Sequence, residues 1–142
     1  MRLVADTNVV ISALLWRGAP HRLFRAAQDR ALEFFTSPIL LDELEEVLAR
    51  RKLEKAVGAT GSTRAALLRD YQELAHVVAP ADTGRIVAAD RDDDAVIACA
   101  LAARAELIVS GDRRVLDIKR YQNIPIVTAA EALARLIQLE GK

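Results

Sequence analysis

Short apolar runs that halt on polar residues alternate along this chain with longer stretches at helical spacing. Leu3-Val4-Ala5 stops on Asp6, Thr7 and Asn8. A run too short for helical periodicity reads as a buried strand, and the polar trio then sits at its carboxyl end. Comparable runs predict strands over 32–35, 76–78, 107–109 and 124–127. The fourth repeats the opening arrangement, with Leu107-Ile108-Val109 halted by Ser110, Gly111 and Asp112. Pro125 inside the fifth predicts an edge strand, because proline cannot donate to a ladder.

Between these runs the spacing turns helical. Two short helices are predicted over 9–15 and from Pro20, the second with Leu23, Phe24 and Ala27 on one side. Ser37-Pro38 is a helix start, the serine accepting an orphan backbone N–H and the proline pre-set for the first turn. The helix to about residue 51 carries Leu40, Leu41, Leu44, Val47 and Leu48 on one stripe. Glu43 falls only about 40° outside that stripe, whereas Asp42, Glu45 and Glu46 point further away. Glu43 is therefore the carboxylate of this helix best placed to face inward, leaning toward the amino end and the sheet edge; an ion pair with some arginine is the plainer alternative.

A turn at 58–62 and a packing helix with Leu67, Leu68, Tyr71 and Leu74 follow, and residues 79–91 read as mostly irregular. The apolar run 95–103 predicts a helix buried on all sides, preceded by Asp90, Asp92, Asp93 and Asp94. Four acids in five positions exceed what the helix dipole favours, and their repulsion argues for a bound positive group. Thr128 and Glu131 have capping-box spacing and open a last helix with Leu133, Leu136 and Ile137 facing in. Alternation of strands and helices predicts an α/β fold, a parallel sheet covered on both faces, with every strand end and following helix start on one edge.

Composition narrows the picture. The 142 residues, 52% hydrophobic, predict one domain over 1–142 that buries about two-thirds of its unfolded surface. The longest apolar stretch, 95–103, is far short of the ~20 residues that span a bilayer, and a strand starting at residue 2 leaves no room for a targeting peptide. A cytoplasmic location is expected, without a membrane partner. The single cysteine, Cys99, excludes a disulfide framework or thiolate metal site and reads as core. His21 and His76, far apart in the chain, read as structural, and Trp16 reads as packing rather than a base-stacking platform. Equal totals of 20 basic and 20 acidic residues exclude a passive, strongly basic nucleic-acid coat. They conceal segregation: Arg50, Arg51, Lys52 and Lys55 in one basic run, and Arg113, Arg114, Lys119 and Arg120 in another.

Asp6, Glu43, the Asp93-Asp94 pair and Asp112 would thus share one rim. Each pair of like charges at 4 Å costs about 4 kcal/mol at an effective dielectric near 20, against a total stability of about 5–15 kcal/mol. Protons or cations must neutralise them. Oxygen donors without Cys or His suit Mg²⁺ or Mn²⁺, the ions of phosphodiester hydrolysis.

V-A-D-T-N-V, S-P-I-L-L-D-E-L, D-R-D-D-D-A-V-I-A-C-A and I-V-S-G-D, in this order and spacing, resemble the PIN-domain nucleases over about residues 2–129. More narrowly they resemble the small bacterial VapC-type toxins of toxin–antitoxin pairs. The resemblance implies a three-layer α/β/α sandwich around a mainly parallel five-stranded sheet, and a Mg²⁺- or Mn²⁺-dependent endoribonuclease. Asp6 and Asp112 match the family's strand-end aspartates and Glu43 its helix glutamate, with Thr7, Asn8 and Ser110 as supporting polar residues. Matching D-A-V-I-A picks Asp94 as the remaining acid; aligning on D-x-D-D picks Asp93, and Asp94 is preferred. Many members carry another acid where this chain has Arg114, so a second metal site would lack that ligand. Arg113 and Arg114 are candidate phosphate contacts, with simple balancing of the acids as the alternative. The resemblance further implies an RNA substrate, a cognate antitoxin at the acidic rim and a homodimer. Two alternatives stay open: an aspartate-nucleophile phosphatase, which wants an acid where Asn8 stands, and a non-catalytic module whose acids serve only as caps.

Overall fold

The computed structural model describes residues 1–80 and 91–140, the side chains of 91–93 excepted, so the acids at 90, 92 and 93 and most of the stretch read as irregular lie outside the described residues. Strand β1 (Arg2–Ala5) leads directly into α1 (Thr7–Leu15), and α2 (Ala19–Gln28) follows with Pro20 in its first turn. Strand β2 (Glu33–Thr36) precedes α3 (Pro38–Leu48), whose N-cap Ser37 accepts the Leu40 N–H. A 3₁₀ turn (Arg51–Leu53), α4 (Glu54–Ala59) and α5 (Arg64–Leu74) lead to β3 (His76–Val77). Helix α6 (Arg91–Ala103), β4 (Leu107–Val109), α7 (Arg113–Leu116), β5 (Arg120–Tyr121), β6 (Ile124–Val127) and α8 (Ala129–Glu140) complete the order.

The strands form one sheet in the order β3-β2-β1-β4-β6-β5, parallel except for the antiparallel β5–β6 pair. Six strands replace the predicted five, and the addition corrects the reading of Pro125. Strand β6 lies between β4 and β5, and the outermost strand is β5. Gln122 and Asn123, both at positive φ (45° and 71°), make the two-residue turn that folds β5 back on β6, the signature of a type I′ hairpin. Proline is tolerated because Ile126, the next residue, supplies the N–H that reaches the Lys119 carbonyl at 2.9 Å.

Residues alternate faces along a strand, and the two faces build separate cores. Leu3, Ala5, Leu107 and Val109 pack with the buried sides of α1, α2, α3, α5 and α8. Val4, Ile108 and Ile126 pack on the other face with α6, where Val96, Ile97, Cys99 and Ala100 are almost entirely buried. Each such side chain contributes about 1.5–3 kcal/mol. The result is a three-layer α/β/α arrangement.

Chain direction fixes where a site can form. From β1 the chain moves outward to β2 and β3 on one side, then returns through α6 to place β4 against the other side of β1. The boundary between β1 and β4 is a topological switch point, where the connections leave the strand ends in opposite directions and open a crevice.

Candidate active site

Asp6 and Asp112 follow the two strands that meet at the switch point. The register pairs Ala5 with Val109, so Asp6 and Ser110 are the next residues across the same pair of strands; the Asp6 N–H continues the ladder to the Val109 carbonyl at 3.0 Å. Side chains at 6 and 110 continue the alternation of Val4 and Ile108, toward the α6 layer.

Ser110 joins the two acids. It is fully buried; its hydroxyl donates to Asp6 Oδ2 at 2.5 Å and accepts the Asp112 N–H at 3.0 Å. Asp6, only 7% exposed, also caps α1 by accepting the Val9 N–H on Oδ1 at 2.9 Å. Burial pushes its carboxyl above the usual carboxylate range against the hydrogen bonds from Ser110, Val9 and Gly111, and the Asp112 charge pushes the same way.

Asp112 is in the opposite state. It caps α7, accepting the Arg114 N–H at 2.8 Å, and the Arg114 guanidinium closes on its Oδ2 at 3.0 Å. The Arg114 side chain and backbone hydrogen bonds hold the Asp112 carboxyl below the usual range. Two neighbouring carboxyls are thus driven apart, one toward accepting a proton or cation and one toward remaining ionised.

Thr7, next to Asp6, is buried, and its Oγ1 lacks a hydrogen-bond partner among the described residues. An unsatisfied buried hydroxyl costs about 1–3 kcal/mol, and this one belongs to the residue that follows the buried Asp6 in the chain. Asn8, by contrast, is exposed on the first turn of α1.

Glu43 is half-buried on α3 while Asp42, Glu45 and Glu46 are exposed, in keeping with the predicted stripe. Asp94 is half-buried near the start of α6, and α3 packs against α6. The structure therefore joins Asp6, Ser110 and Asp112 directly and leaves Glu43 and Asp94 on adjoining helices. Among the described residues no group of three or more His, Cys, Asp or Glu side chains is close enough to hold a metal ion. The donor chemistry nonetheless fits a hard divalent ion: oxygen atoms only, one carboxylate poorly neutralised, and an orphaned hydroxyl alongside.

The other chemically capable side chains lie apart from Asp6 and Asp112 in the hydrogen-bond pattern. The Cys99 thiol, buried in α6, is pushed up to about 12. His21 meets the Ala13 carbonyl at 3.1 Å and His76 pairs with Glu33 at 2.9 Å. Trp16, at the far end of α1, is half exposed rather than packed; nine helical residues place it about 13 Å from the rim. The closure of Arg114 on Asp112 matches the alternative in which these arginines balance the acids; the signal for its geometry was an arginine at the second helical position after an aspartate cap.

Fold and site together define an α/β protein with an acidic, hard-oxygen crevice at the switch point of its sheet. The chain belongs to the PIN-domain family, whose model matches residues 2–114. PIN domains are generally nucleases, usually metal-dependent, and act on nucleic acids. No curated protein matches this chain. No helix among the described residues is long and apolar enough to cross a membrane.

Proposed function

We propose that this protein is a Mg²⁺- or Mn²⁺-dependent endoribonuclease, and that it acts as the toxin of a toxin–antitoxin pair in the cytoplasm. The observation that carries the nuclease reading is the buried, poorly neutralised Asp6 bridged through Ser110 to an ionised Asp112. Helix capping alone needs neither burial nor a second acid, since a serine or asparagine caps as well as an aspartate. Asp6, Glu43, Asp94 and Asp112 are the proposed ligands, direct or through water, with Asp93 as the alternative to Asp94. A divalent ion bound there lowers the pKa of water and stabilises charge on the leaving oxygen.

The chain's own groups do the rest. Ser110 fixes the orientation of Asp6, and Thr7 has a hydroxyl to offer a ligand-bound water. Glu43, half-buried on α3, orients the attacking water and can take its proton. Arg114, paired with Asp112 here, would with Arg113 offer its guanidinium to the substrate phosphate. An antitoxin would present a basic side chain to this rim, and two copies would associate through exposed apolar helical surface that includes Leu139 and Ile137, the latter expected to face in but 54% exposed on α8.

Cleavage of a labelled RNA panel in Mg²⁺, Mn²⁺ or EDTA tests the reading. Wild type should cut internally with either metal and not in EDTA, and Asp112→Asn should lose at least about 100-fold. Turnover of a small phosphoester without RNA cleavage would favour a phosphatase instead. A strict monomer by light scattering at micromolar concentration would remove the dimer from the proposal.

A further inference from the structure

A groove of about 560 Å³ begins at Arg113, one residue from Asp112, and runs between α7, the β5–β6 hairpin and α8. Its walls carry four cations, Arg113, Lys119, Arg120 and Arg135, and two acids, Asp117 and Glu131. All four cations are exposed, and among the described residues none is held in an ion pair. Glu131 is occupied: its Oε1 accepts the Thr128 hydroxyl at 3.0 Å and the Thr128 N–H at 3.3 Å. In a chain with equal basic and acidic totals, four cations without an ion pair against two acids along one groove, next to an acidic rim, is a net positive segregation that neither capping nor packing explains.

The geometry points to this groove as the binding track for the sugar–phosphate backbone of a single RNA strand whose neighbouring phosphate lies at the Asp6–Asp112 rim. The inference rests on the nuclease reading for the identity of the rim, and on the groove for the rest. Three features select this ligand. The positive groups come from three separate elements, Arg113 on α7, Lys119 and Arg120 at the entry to β5 and Arg135 on α8, so they fit a chain of phosphates better than one compact anion. The floor includes Leu116 and Pro125, apolar surface on which a ribose can lie. No aromatic side chain lines the groove, so it offers no stacking platform for bases, and a strand would be held by its backbone irrespective of sequence. Most of this lining, from Leu116 to Arg135, lies beyond the segment that matches the family model.

The test is fluorescence anisotropy with an end-labelled single-stranded RNA in EDTA, where binding is read without cleavage. Lys119→Ala/Arg120→Ala should weaken binding about 10-fold near 0.1 M salt and flatten the salt dependence by about 1.4 in log–log slope, for two lost contacts on a single strand. Arg135→Ala, on a different element, should weaken it about threefold, and Lys52→Ala/Lys55→Ala, removing equal charge elsewhere, should leave it unchanged. Oligo-A and oligo-U should bind alike. Equal loss in the Lys52/Lys55 pair, full binding by both groove variants with native melting curves, or a strong preference between homopolymers would each overturn the inference. An RNA that binds through the groove yet is not cut when Mn²⁺ is added would overturn the nuclease reading and leave the groove standing.

Discussion

Ser110 has the smallest side chain in the site and the most to satisfy there. Fully buried, it serves an acceptor on one strand and a donor beyond the next. Ser110→Ala removes one of the hydrogen bonds on the buried Asp6 carboxylate and leaves the Asp112 N–H without its acceptor, so it should cost about 1–3 kcal/mol by denaturant melting. Asp6 contributes in the opposite sense. Its folded pKa is raised, so the native state holds its proton above 3.8, where the unfolded chain has released it; stability is fully present below 3.8 and falls as pH rises through the folded value. Asp6→Asn should therefore raise the metal-free melting temperature at pH 7 and do little at pH 3, while Mn²⁺ stabilises wild type and not the variant. Asp112 is lowered, so its contribution is present above 3.8 and lost as pH falls through the folded value. Arg114→Ala removes the guanidinium from Asp112 Oδ2 in a partly exposed pair while the backbone N–H of residue 114 stays on Oδ1, and should tighten Mn²⁺ binding about two- to fivefold. The two strand-end acids were legible in the sequence because an apolar run that stops on an acid is a local signal. Arg114 was legible only as a nearby charge, since its closure on Asp112 depends on the cap geometry that follows β4.

At the scale of elements, α3 shows how local rules place the carboxylate proposed as a ligand. Ser37, 1% exposed, caps the helix, Pro38 opens it, and the apolar stripe leaves Glu43 half-buried. Ser37→Ala should lower stability by about 1 kcal/mol, measured by thermal melting. Glu43→Gln should keep the fold and lose activity. The helix was legible from its start signal and stripe, although it ends at Leu48 and a 3₁₀ turn and α4 follow. The β5–β6 hairpin was not legible: β5 has two residues, and Gln-Asn is a weaker turn signal than Asn-Gly. Gln122→Gly relieves a left-handed backbone at φ 45° and should stabilise the protein by up to about 1 kcal/mol.

For the whole molecule, topology turns separate acids into a site. Because β4 returns to the open side of β1, residues 6 and 110, 104 positions apart, become hydrogen-bond neighbours. The parallel α/β class and the meeting of Asp6 and Asp112 at one sheet edge followed from alternating elements in the sequence; the strand order did not, because periodicity says nothing about which strands are adjacent. Charge is arranged at the same scale, with carboxylates at the switch point and unpaired cations along the groove beyond it. The central claim is that this crevice takes a divalent ion through Asp6 and Asp112. Calorimetric titration of Mn²⁺ into wild type, Asp6→Asn and Asp112→Asn measures that directly. The account predicts saturable binding to wild type and at least a tenfold loss in each variant, and equal binding in all three would contradict it.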